Sequence, residues 1–166
     1  MKQDVLLIVD ADSSSTELVS LAAMQTKHRV IRAKTSREAF HVLNGGLDAV
    51  NVIVVDVDPG VHGMAVIEAI DVSPTSPPVI LLTSLEEGYM APIAAAHGAA
   101  ACVGKPFTVG KLASVIEEVC APSWRSAACS CDAWGHPHRC KTNFIACPGC
   151  SRKLQENFRQ PEPANT

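Results

Sequence analysis

Short apolar runs and longer amphipathic stretches alternate along this chain. Val5–Val9 (VLLIV) is a continuous apolar run that stops at Asp10. Val50–Val55, apolar apart from Asn51, predicts a second strand stopping at Asp56, and Val79–Leu82 is a third apolar run, leading into Thr83-Ser84. Apolar runs of this length predict strands buried on both faces, as in a parallel sheet. Arg29–Ala33 (RVIRA) alternates polar and apolar positions and predicts a strand at a sheet edge. Ala101–Val103 predicts a short strand ending near Lys105-Pro106.

Helical patterns separate these runs. Ser13–Thr16 offers caps, and Leu18, Leu21, Ala22 and Gln25 follow at roughly helical spacing. Thr35 with Glu38 three residues on is a capping box, which predicts a helix to Leu43 that Asn44-Gly45-Gly46 stops. After Asp56, a loop with Pro59, Gly60 and Gly63 leads to a helix from about Met64 to Ile70, and Pro74–Pro78 is a turn-rich connector. The Ala-rich segment around Ile93–His97 predicts a helix with Pro92 near its first turn and Gly98 as its stop. Thr108 caps a last amphipathic helix carrying Val109, Leu112, Val115, Ile116 and Val119. Five strand–helix units in regular alternation predict an α/β fold, a parallel sheet with helices on both faces.

Composition adds a second part. A hydrophobic content of 47% is that of a globular chain. Residues 1–121 hold 8 Lys/Arg against 14 Asp/Glu, a net of −6; residues 122–166 hold 6 against 3, a net of +3. An acidic body with a mildly basic end argues against nucleic acid as the main partner. No apolar run has the length to cross a membrane, and the first residues are too short in apolar core and too acidic for a signal peptide. A cytoplasmic protein is therefore expected, in a compartment that keeps thiols reduced. Five of the 7 Cys fall after Ser126, and in that compartment such crowding points to metal. The expected organisation is a body over residues 1–121, a linker at 122–128, a metal-binding Cys/His module at 129–154 and a disordered polar end at 155–166.

The body places its chemistry at strand ends. Asp10, Asp56, Thr83 and Lys105 each follow or end a different predicted strand. The carboxyl ends of the strands line the ligand crevice of an open parallel sheet, where strand order reverses. Two acids, a hydroxyl and a lysine would meet there. Close carboxylates repel unless a cation shares them, and oxygen ligands favour a hard ion such as Mg²⁺. A metal, a lysine and a hydroxyl around one carboxylate suit phosphoryl transfer, where positioning and charge stabilisation dominate.

The stretches LLIVDAD, VIVVDVDPGVHG, PPVILLTS and GKPF, in order over about residues 4–120, resemble the bacterial response-regulator receiver family. The resemblance implies a doubly wound five-stranded sheet of order 2-1-3-4-5 and a phosphorelay, or two-component, signalling role. Asp56 would accept the phosphoryl group from a sensor histidine kinase or phosphotransfer protein. Thr83 would bind its oxygens and Lys105 would be its counter-ion. Asp10, Asp12, Asp56 and Asp58 would serve Mg²⁺, Asp58 through its backbone carbonyl. The Lys105-Pro106 bond would be cis. The chain would be no enzyme beyond assisting its own phosphorylation and dephosphorylation. Three features depart from the family pattern: Ala11 stands where a second adjacent acid is usual, the loop from Asp56 to Gly63 is one residue short, and Cys102 replaces the usual switching aromatic.

The Cys/His segment contains Cys129-x-Cys131, His136-x-His138, Cys140 and Cys147-x-x-Cys150. Tetrahedral Zn²⁺ takes four thiolate or imidazole ligands, usually in short-spaced pairs. Cys147-Pro148-Gly149-Cys150 is similar to a zinc-ribbon knuckle, and fifteen residues separate Cys131 from Cys147. The first choice of ligands is Cys129, Cys131, Cys147 and Cys150, with His138 and Cys140 as alternates. Such a segment is too short to bury much of a core, so metal would supply its folding energy. Cys102 and Cys120 fall in the body as expected core residues, and His28, His41, His62 and His97 as surface or helix-end residues.

The expected function is that of a phosphorylated receiver that signals to a downstream protein through contact, since no segment is long enough for a helix-turn-helix. The alternatives are a non-phosphorylated pseudo-receiver acting as an adaptor, and a nucleic-acid-binding zinc protein.

Overall fold

A computed structural model describes residues 3–45, 50–58, 65–67 and 77–121. The loop residues Pro59, Gly60 and Gly63, His62, the linker 122–128, the Cys/His segment with all its candidate zinc ligands, and the polar end 155–166 lie outside the described residues. Five strands form one sheet: β1 (Val5–Val9), β2 (Arg29–Ala33), β3 (Val52–Asp56), β4 (Val79–Thr83) and β5 (Ala101–Gly104). Every pairing is parallel and the order is β2-β1-β3-β4-β5, as the resemblance implied. Four described helices accompany it: α1 (Ser13–Gln25), α2 (Ser36–Asn44), α3 (Glu87–Ala96) and α4 (Val109–Cys120). Residues 65–67 are also helical, within the predicted Met64–Ile70 span. Among the described residues no helix is long and apolar enough to cross a membrane.

The continuous apolar runs are buried along their whole length because successive side chains point to opposite faces and both faces are covered. On one face Val5, Leu7, Val9, Ile53, Val55, Val79 and Leu81 pack with Ala39 and Leu43 of α2 and Met90, Ala91 and Ala94 of α3. On the other, Leu6, Ile8, Val52, Val54, Ile80, Leu82 and Val103 pack with Val19, Ala22 and Ala23 of α1 and Leu112, Ile116 and Val119 of α4. Each fully buried Leu or Ile contributes roughly 1.5–3 kcal/mol, so this double-sided sheet fixes the ends of its strands. β2 lies at the edge, and only Ala33 in it is buried.

Local differences from the sequence expectations have simple causes. The cap of α1 is Asp12, one residue before the Ser/Thr run, because its carboxylate accepts from the backbone N–H of both Ser14 and Ser15. Thr35 caps α2 as expected, accepting from Glu38 N–H, but the Glu38 carboxylate turns back to Lys34 N–H instead of closing the box on Thr35. α3 begins at Glu87, well before the expected start, and Pro92 lies in its interior. An interior proline gives up a helical hydrogen bond at a cost of about 3 kcal/mol. The burial of Met90, Ala91, Ala94 and Ala95 offsets that cost.

Candidate functional site

The strand order reverses between β1 and β3, and the polar residues gather at the carboxyl ends of those strands. Asp10 directly follows β1 and Asp56 is the last residue of β3; they are 4 % and 2 % exposed. Thr83 ends β4 and is fully buried. Lys105 follows β5, and its backbone N–H donates to Thr83 O at 2.7 Å. Its Nζ forms an ion pair with Asp56 Oδ2 and a second, at 2.9 Å, with Asp58 Oδ2. The structure therefore brings the four predicted residues into one pocket of polarity at the switch point. The Lys105-Pro106 bond is cis.

Backbone amides hold the two buried acids in place. Asp12 N–H donates to Asp10 Oδ1 at 2.7 Å, and Asp58 N–H donates to Asp56 Oδ1 at 2.9 Å. Among the described residues Asp10 Oδ2 has no hydrogen-bond partner. Burial raises the Asp10 carboxyl; the Asp12 amide opposes this, the charge of Asp56 adds to it and that of Lys105 reduces it, leaving a pKa of about 6. Burial lowers the Lys105 ammonium, but its bonds to Asp56 and Asp58 outweigh this and hold it above its ordinary value.

The predicted Mg²⁺ residues do not all turn the same way. The Asp12 carboxylate folds onto the N-terminus of α1, where the Ser14 and Ser15 amides and the Ser15 hydroxyl hold it below the usual carboxylate range. The Asp58 carboxylate takes Ser84 N–H at 2.7 Å, the Ser84 hydroxyl and Lys105 Nζ. Burial alone would raise Asp58, and these bonds together bring it below its ordinary value. Among the described residues no three His, Cys, Asp or Glu side chains form a metal-holding group. Asp10 and Asp56 still fit a hard cation: two adjacent carboxylates, one with an orphaned buried oxygen, are the arrangement a divalent ion relieves.

Other side chains behave differently from their sequence reading. Thr83 Oγ1 accepts Leu85 N–H at 3.0 Å and so shapes the first turn after β4. Ser84 and Glu87 contribute as well, with no motif in the sequence to mark them. Glu87 accepts Gly104 N–H at 3.0 Å and Lys111 Nζ at 2.9 Å, tying the start of α3 to β5 and α4. Only the placement of Ser84 immediately after Thr83 hinted at its role. Cys102 is a core residue as expected; burial first, then the charge of Glu87, pushes its thiol up to about 11. His28 is not at the surface: it is 8 % exposed, with Nδ1 2.8 Å from Thr26 Oγ1 and Nε2 3.9 Å from Cys120 Sγ.

The molecule is thus a doubly wound α/β protein with acids, a lysine and a hydroxyl gathered at its switch point. The response regulator receiver domain model matches residues 6–117, and the chain belongs to that family, whose role is phosphorelay signalling. The chemotaxis response regulator CheY4 of Vibrio cholerae is similar, with 24% identity and a TM-score of 0.62 over 70% of this chain and 98% of that one. A response regulator from Thermotoga maritima is similar at 22% identity and a TM-score of 0.63, covering 71% of this chain and 98% of that one. A response regulator receiver protein from Burkholderia phymatum is similar at 22% identity and 0.62, covering 72% and 99%. At these identities the likeness is one of fold. A search of the curated proteins returns no match.

Proposed function

We propose that the protein is a response regulator that takes a phosphoryl group on Asp56 from a phosphohistidine of a sensor kinase or phosphotransfer protein in the cytoplasm. The observation that carries this is Asp56 itself: a buried carboxylate at the end of β3, paired with Lys105 and beside the orphaned oxygen of Asp10. An Asp56 oxygen attacks phosphorus; the O–P bond forms as the P–N bond breaks, and the leaving imidazole nitrogen takes a proton from solvent. Lys105 meets the charge that develops on the transferring oxygens, and the Thr83 hydroxyl has a proton to donate to them. Asp58 N–H, on Asp56 Oδ1, aims the acceptor carboxylate. Mg²⁺, when held by Asp10, Asp56 and the Asp58 carbonyl, supplies charge neutralisation for the incoming phosphate.

The test is intact mass after incubation with acetyl phosphate and Mg²⁺. Wild type gains one phosphoryl group and Asp56→Asn gains none. A wild-type chain that stays unmodified at saturating Mg²⁺ refutes the reading and leaves a pseudo-receiver that acts by contact alone.

The output in this reading is contact with a downstream protein, and residues 129–154 form a separate zinc-binding module. The paired spacing of Cys129, Cys131, Cys147 and Cys150, with His138 and Cys140 as alternates, supports that assignment. Elemental analysis of protein purified without chelator reads about one Zn²⁺ per chain if it holds. Absence of metal with all thiols titratable removes the module.

A further inference from the structure

We propose that the Asp58 carboxylate is a built-in occupant of the anion seat beside Asp56, which a phosphoryl group must displace. The seat is visible in what Asp58 collects: a backbone N–H and a hydroxyl from Ser84 and the ammonium of Lys105. An amide, a hydroxyl and a cation converging on one pair of oxygens is a donor set for an oxyanion. Lys105 is shared, since the same Nζ pairs with Asp56 Oδ2. A phosphoryl group bonded to Asp56 therefore grows from one carboxylate held by Lys105 towards another.

Charge decides the outcome. A phosphoryl group carries about −1.5 to −2 at neutral pH. Asp58, paired with the Lys105 ammonium and taking two donors from Ser84, is an anion in the same place. Two anions cannot share one ammonium at close range without a cost that grows as the site is desolvated. The phosphoryl group is bonded to Asp56, so the singly charged Asp58 side chain is the one that can leave. Its departure hands Ser84 N–H and Lys105 to the phosphoryl oxygens and frees the Ser84 hydroxyl. Ser84 is the first residue after β4, and Leu85 and Tyr89 just beyond it are exposed. The exchange thus reaches the chain segment that leads into α3. Asp58 is a positioning residue in this scheme: it sets how strongly the site resists an anion at rest.

This inference rests on Asp56 as the acceptor, and the experiment separates the two. Beryllofluoride, a phosphoryl-shaped anion, is titrated with Mg²⁺ against the full chain and followed by ¹⁹F NMR, with wild type, Asp58→Asn and Asp58→Ala compared. Both variants should bind at least roughly tenfold more tightly than wild type, the equivalent of about 1.4 kcal/mol. Asp58→Asn keeps the shape and an acceptor for Ser84 while losing the charge, so it carries the test if Asp58→Ala does not fold. In a Lys105→Ala background the gain should vanish, which a general loosening of the loop would not produce. In wild type the Ser84 amide resonance should move on anion binding; in Asp58→Asn its resting position should already differ from wild type. Tight binding by wild type with no gain in the variants overturns the inference and leaves Asp56 as acceptor. Failure of every form to bind overturns both.

Discussion

Neutralising Asp10 should stabilise the metal-free protein, and only above the acid range. Asp10 is 4 % exposed, has one oxygen without a partner among the described residues and stands beside the Asp56 charge. Burial first, and Asp56 after it, raise its pKa from 3.8 to about 6. A rise of that size is a penalty of about 3 kcal/mol on the ionised folded state. The sign follows from proton binding. The folded carboxyl holds its proton more tightly than the unfolded one, so stability falls as pH climbs from about 4 through 6 and stays low above that. Asp10→Asn removes this dependence while its amide oxygen can keep the Asp12 N–H bond. The expected gain is about 1–3 kcal/mol at pH 8, a Tm rise of several degrees, and nearly nothing at pH 3.5. Urea and thermal unfolding with EDTA, followed by circular dichroism at both pH values, measure it. Mg²⁺ should stabilise wild type by mass action and shrink the difference. A gain that is the same at both pH values, or a loss at pH 8, refutes the account of Asp10 as a strained buried anion.

Lys105→Ala leaves Asp56 and Asp58 without their shared cation and should cost about 1–3 kcal/mol at neutral pH, less than a fully buried pair because the lysine is partly solvated; chemical denaturation reads it. Gly104→Ala puts a Cβ 3.2 Å from Glu87 Oε2, so the carboxylate must give way and loosen its bonds to Gly104 N–H and Lys111, a loss of about 1 kcal/mol measurable as a lower Tm. Asp12→Ala removes the cap of α1 and should lower stability while leaving Mg²⁺ affinity by calorimetry unchanged; a marked fall in affinity would place that carboxylate at the metal. A chain ending at Ala121 should melt cooperatively, because both described core faces are complete by Val119; a non-cooperative melt would move the domain boundary.

The apolar runs by themselves determined the sheet. Val5–Val9 and the runs ending at Asp56 and Thr83 are strands because an unbroken apolar segment can be buried only with both faces covered, and that need is local and periodic. It also put Asp10, Asp56 and Thr83 at strand ends, which is why their meeting is legible in the sequence. The tertiary structure decided which way each polar side chain turned. The sequence pattern offers Asp12 as a metal acid, but the unsatisfied amides of α1 are its nearest donors and claim it. The family resemblance gives Asp58 a role only through its backbone carbonyl, while its carboxylate answers to Ser84, 26 residues away, and to Lys105, 47 away. His28 is buried because α1 and α4 pack side by side and bring Cys120, 92 residues on, against it. Pro92 is exposed inside α3, and the buried face of Met90, Ala91, Ala94 and Ala95 is worth more than the hydrogen bond the proline forfeits. Contacts of that reach depend on the strand order and the stacking of helices on the sheet, and no period along the chain encodes them.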